Sequence, residues 1–221
     1  MTKRPGSAPR HHGRTGACRA RHRSPIQRPG GRALSNARSA QPCAHLTLSE
    51  VYRRIQTGAW AAGVAEVRRC RARLDAATDP AECSAAEQAW QTAKAQLPAV
   101  TLSADAHTRS RDVALGERGL IPSGRVQLDF DLHGGPACER DRLRAILVAS
   151  PPVEALWLSP SGDGLKGTVR VRGAGDLARH AEVFAAVDRW LLATIGRAND
   201  PQVKDPPVSY THLTLPTIYS V

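Results

Sequence analysis

From residue 125 to residue 195 the apolar residues alternate between two spacings, and that alternation restricts the chain to few architectures. RVQLDFD (125–131) has the period of a strand and runs into a glycine turn. ACERDRLRAILVA (137–149) has helical spacing, with Leu143, Ile146 and Leu147 on one face. VEALWL (153–158) and LKGTVRVR (165–172) are strand runs joined by the tight turn SPSGDG. Residues 177–195 then carry Val183, Phe184, Val187, Leu191 and Ile195 along one side of a long helix. Such periods separate strands from helices because side chains alternate every two residues in the former and every 3.6 in the latter.

The resulting order, β-α-β-β-α, is most of a ferredoxin-like or RRM-like unit, and a last strand is expected after the final helix. Ahead of it, three short helices are expected between residues 46 and 98. The first has Ser49 as N-cap and Gly58 as stop, the second follows Trp60, and the third ends at Pro98. AVTLS (99–103) is a further strand, and 103–124 a polar loop. The expected fold class is therefore α+β: a helical N-terminal subdomain (46–98) before a core over 99–207.

The chain of 221 residues has a formal charge of +11, which points toward nucleic acid until its distribution is considered. Ten Lys and Arg fall within residues 1–40, while the first acid is Glu50. Beyond residue 40 there are 21 basic and 20 acidic residues. Residues 1–42 thus read as a basic arm without regular structure, or as upstream DNA translated from a start codon placed too early. The five cysteines are scattered and lack zinc-ligand spacing, as in a reduced cytoplasmic protein. No apolar stretch approaches a membrane span.

VSYTHLTLPT (208–217) has strand propensity and could serve as the missing last strand. It is also the translation, without mismatch, of GTC TCT TAT ACA CAT CTG ACG CTG CCG ACG, and so resembles one frame of a transposase adapter used in sequencing libraries. On that reading the biological sequence stops near Pro207, the core is C-terminally truncated, and 208–221, with Tyr210 and His212, carries no functional information.

Two motifs carry chemistry. Asp129 and Asp131 are two apart on a strand and share a face. Like charges so close repel unless a cation lies between them. A divalent metal carrying a nucleotide is one answer, and a solvated strand end is the other. In SPSGDGLKG, Ser161, Gly162 and Gly164 form a turn whose N–H groups can converge on an anion, and Lys166 offers a point charge to phosphate. The alternative is a plain glycine hairpin with a solvated lysine. His180 reads as a surface or half-buried histidine, and Trp60, Trp90, Trp157 and Trp190 as packing residues. Arg68, Arg69, Arg71 and Arg73 read as a solvated basic face, with phosphate-backbone contact as the second reading.

Four blocks in order, KAQLPAVTLS (94–103), GLIPSGRVQLDFDLHG (119–134), SPSGDGLKGTVRV (159–171), and His180 with NDPQVKDP (199–206), together with the leading helices, resemble the VirE N-terminal-type domain. That domain precedes helicase modules in proteins of phages and mobile elements. The Asp-x-Asp and Ser-Gly elements are also similar to the first two motifs of the archaeo-eukaryotic primase superfamily. The resemblance implies Mg²⁺ or Mn²⁺ on Asp129 and Asp131, with the triphosphate gripped by Ser161, Gly162, Gly164 and Lys166. It further implies DNA and nucleoside triphosphates as partners, a downstream helicase module, and metal-dependent nucleotidyl transfer. Lys166 stands where that superfamily has His, and Asp200 and Asp205 are the candidates for its third acid. The alternative is a non-catalytic nucleic-acid or nucleotide-binding module that positions the helicase.

Overall fold

A computed structural model describes residues 30–34, 42–205 apart from 109, 111 and 133, and the strands 210–212 and 219–220. The fold mixes helices with small antiparallel sheets. In chain order the elements are β1 (Gly30–Leu34), β2 (Ala44–Thr47), α1 (Leu48–Gln56), α2 (Ala61–Ala76) and α3 (Pro80–Gln96). Next come β3 (Ala99–Thr101), β4 (Ala104–Asp105), β5 (Ile121–Pro122), β6 (Arg125–Phe130) and α4 (Ala137–Val148). The remainder are β7 (Val153–Leu158), β8 (Leu165–Arg170), α5 (His180–Ile195), β9 (Tyr210–His212) and β10 (Tyr219–Ser220).

The central sheet has the order β10-β7-β8-β6. β8 lies antiparallel to both β6 and β7, so those two strands, linked by α4, run parallel to each other. Strand alternation divides the sheet into two faces. Val126, Leu128, Phe130, Leu156, Leu165 and Val169 face α4 and α5, where they meet Leu143, Leu147, Val183, Phe184, Val187 and Leu191. Each fully buried side chain of this size contributes about 1.5–3 kcal/mol, which makes this layer the main core. On the opposite face, Ala155 and Trp157 pack against Leu48, Val51 and Ile55 of α1 and against Val100. α2 and α3 form a hairpin closed by Val64, Val67, Cys70, Trp90, Ala93 and Leu97.

Several expectations need correction. The N-cap of α1 is Thr47, not Ser49: its hydroxyl accepts the Glu50 N–H at 3.2 Å, and the Glu50 carboxylate accepts the Thr47 N–H at 2.7 Å. This is a capping box, and its T-x-x-E signature stands in the sequence as Thr47 and Glu50. Within the arm expected to lack regular structure, β1 pairs with β2 and β3; residues 1–29 lie outside the described ones. The loop 103–124 contains the small ladder β4–β5. After α5, among the described residues, β9 pairs with β3 and β10 with β7, so neither takes a place beside β6.

The candidate site at the end of the central sheet

β6 turns Val126, Leu128 and Phe130 into the core and presents Arg125, Gln127 and Asp129 on the other face. Asp129 sits opposite Lys166 of β8, and Lys166 sits opposite Trp157 of β7. The Lys166 ammonium forms an ion pair with Asp129 Oδ2, and the two side chains are only 12% and 16% exposed. The cation beside the first acid is thus supplied by the protein itself. Burial pushes the Asp129 carboxyl up; Lys166 pulls it back in part, while Asp200 and Asp131 push it further up. β6 ends at Phe130, so Asp131 lies beyond the strand and is exposed, its carbonyl accepting from Arg197 Nη1 at 3.2 Å.

The free edge of β6 is served by a residue that the sequence reading did not single out. Asn199, 4% exposed, accepts the Asp129 N–H at 2.7 Å and donates to the Gln127 carbonyl at 2.7 Å. Its own N–H donates to Asp188 of α5 at 3.1 Å, and the Asp200 N–H donates to the Asp129 carbonyl at 3.1 Å. A side-chain amide has both a donor and an acceptor, so it can imitate a stretch of partner strand. The signal was Asn199 shortly after the helix-ending Gly196, whose φ is +73°.

The two motifs meet at Gly164. A Cβ there would lie 2.5 Å from the Phe130 carbonyl oxygen, so only glycine lets the turn close against the end of β6. The turn is held from within. The Ser159 N–H donates to the Gly164 carbonyl at 2.9 Å, the Gly162 N–H to the Ser159 carbonyl at 2.9 Å, and the Gly164 N–H to Ser159 Oγ at 3.0 Å. The amides of Gly162 and Gly164 are therefore engaged inside the hairpin. Gly162 has φ +88°, the left-handed region that favours glycine. Ser161, half-buried, lines a cleft of about 670 Å³ with Gly162, Asp163, Gly134 and Gly135.

Arginines wall this cleft. Arg68 Nε donates to the Pro160 carbonyl at 3.2 Å, and Arg140 Nη1 to the Gly162 carbonyl at 2.9 Å. Of the basic run on α2, Arg68 and Arg71 are half-buried here while Arg69 and Arg73 are exposed. Lys94 of α3 stands 4.3 Å from the centre of the Trp90 ring. Burial and then the charge of Lys166 push its ammonium down, against the pull of Asp131, Asp163 and Asp129. Trp90 and Trp157 are core residues, and Trp60 and Trp190 pack partly buried against the clusters. His180, expected at the surface or half-buried, is buried; burial pushes its imidazole down, opposed by a hydrogen bond with the Lys204 backbone and the charge of Asp205.

Among the described residues, no group of three or more His, Cys, Asp or Glu side chains is placed to hold a metal ion. One oxygen of Asp129 already bonds an ammonium. A divalent cation at that oxygen would have to displace the Lys166 ammonium. No helix among the described residues is long and apolar enough to cross a membrane. No family model, curated protein or solved structure matches the chain.

Proposed function

We propose that this chain is a non-catalytic nucleic-acid or nucleotide-binding module that takes phosphate beside the Ser161–Gly164 turn. The observation that carries the reading is the ion pair of Lys166 with Asp129 across the β6–β8 register. It neutralises the carboxylate that nucleotidyl transfer would need for metal, and it turns Lys166 away from phosphate. The order β6-α4-β7-β8-α5, with β8 between β6 and β7, supports an RRM-like sheet. Its Asp129 face, however, is partly covered by α1 and Trp157, which leaves the turn end open.

Nucleotidyl transfer is the second reading. One observation favours it: the Asp200 N–H donates to the Asp129 carbonyl at 3.1 Å, and the charges of Asp200 and Asp131 both push the Asp129 carboxyl up, so two further acids lie within electrostatic reach of Asp129. Fluorescence anisotropy with labelled DNA and a primer-extension assay with Mg²⁺ or Mn²⁺ separate the two. The binding module predicts DNA binding in the parent and in Asp129→Asn, with no incorporation by either. Metal-dependent incorporation that disappears in Asp129→Asn would overturn it.

A further inference from the structure

Arg68 is a half-buried guanidinium with no carboxylate partner among the described residues. Its Nε–H is spent on the Pro160 carbonyl, and its remaining N–H groups lie beside Gly162, where a Cβ would be 3.7 Å from Nη2. Burial alone moves its ionisation, and it does so downward. A desolvated charge without a counter-charge is unfavourable, so the fold keeps it at a cost that an incoming anion would offset. Its neighbours differ: Arg71 is paired with Asp75 at 2.9 Å, and Arg69 with Glu66. Arg140, across the cleft on α4, is oriented by the Gly162 carbonyl through Nη1 at 2.9 Å and, unlike Arg68, has a carboxylate partner, Nε and Nη2 both donating to Asp141 Oδ1 at the long distance of 3.4 Å. Two backbone carbonyls of one turn thus aim two guanidiniums, from α2 and α4, into the same space.

Resting on the binding reading above, we infer that this cleft holds the sugar–phosphate backbone of a single-stranded nucleic acid, with Arg68 and Arg140 as the phosphate ligands. A planar guanidinium fork matches two phosphate oxygens, as an ammonium does not. Among the described residues the lining includes no aromatic side chain, so these residues offer no platform for stacking a base. The strand is gripped by its phosphates, without regard to sequence. The glycines Gly134 and Gly135 let backbone approach closely, and about 670 Å³ admits one or two nucleotides but not a duplex. Asp163 is turned to Ser159, accepting its hydroxyl at 3.2 Å.

The test is anisotropy of a labelled oligo-dT with the full chain over a salt series, for the parent, Arg68→Gln, Arg140→Gln and the exposed control Arg69→Gln, with thermal melts of each. Arg68→Gln is expected to bind about tenfold more weakly, the loss of one charge-assisted phosphate contact. The slope of log affinity against log salt should fall by about 0.7. Arg140→Gln should behave alike, and Arg69→Gln should match the parent. If the parent binds oligo-dT and both cleft variants, melting as it does, bind equally well, the cleft assignment is overturned while the binding reading stands. If the parent binds no nucleic acid, both fall. Should inorganic tripolyphosphate or a nucleoside triphosphate bind in an Arg68-dependent way while oligo-dT does not, the strand assignment is overturned in favour of a free nucleotide.

Discussion

Lys166→Met removes the ammonium that faces Asp129 and keeps most of the apolar stem, so it isolates the ion pair from packing. With the two side chains only 12% and 16% exposed, the pair is largely withdrawn from water. Breaking such a pair by removing one partner costs about 3–5 kcal/mol, because the remaining charge is left desolvated. Lys94 supplies a second, more distant positive charge, which places the expected loss near the lower end, about 3 kcal/mol. The pH dependence has a definite sign. Burial holds the Asp129 carboxyl above its ordinary value even with Lys166 present. A raised folded value means the group favours the fold fully below the unfolded carboxylate range and loses that contribution as pH rises through the folded value. Without Lys166 its downward pull is gone and the folded value climbs further. The deficit of Lys166→Met should therefore be largest near neutral pH and shrink as the solution is acidified toward the usual carboxylate range. Urea denaturation followed by tryptophan fluorescence measures it. Asp129→Asn combined with Lys166→Met should recover most of the loss, since no charge is then stranded. A neutral-pH loss below about 1 kcal/mol, the size expected of an exposed pair, or a deficit independent of pH, would refute the account of Asp129 as a buried carboxylate neutralised by Lys166.

Three other perturbations examine the frame around the site. Asn199→Ala strips a donor and an acceptor from the buried edge of β6 and should cost about 2–4 kcal/mol in urea denaturation, two unsatisfied backbone groups at about 1–2 each. Gly164→Ala drives a Cβ toward the Phe130 carbonyl at 2.5 Å and should cost about 1–3 kcal/mol, whereas Gly175→Ala, with open space around it, should be nearly silent. Glu154 accepts from Arg125 Nη2 at 2.8 Å and Arg170 Nη2 at 3.2 Å; burial pushes its carboxyl up, but these partners outweigh burial and hold it below the ordinary value. A lowered carboxyl stabilises above the unfolded range and loses that contribution as pH falls through the folded value, so acid denaturation scans of Glu154→Gln should show a shallower loss below about pH 4.3.

How far the site could be read in advance depended on whether each contact was local. The helices and strands from residue 125 to residue 195 follow from periodicity, and their observed bounds differ from the expected ones by a few residues. Gly162 and Gly164 were legible as a turn because a hairpin is built from neighbours. Asp129 and Lys166, 37 residues apart, were legible as two charges but not as each other's partner. Their pairing follows from β8 lying between β6 and β7, which no local pattern specifies. For the same reason the question raised by two acids on one strand was answered from a different strand, and the period that put Asp131 on the face of Asp129 could not say that the strand stops at Phe130. The arginine run shows the same limit. Helical spacing alone sets Arg68 and Arg71 apart from Arg69 and Arg73, yet which side meets the turn is decided by how the α2–α3 hairpin docks beside the sheet. Local rules supplied the parts, and the long-range register decided which charges neutralise one another and which, like Arg68, are left facing open space.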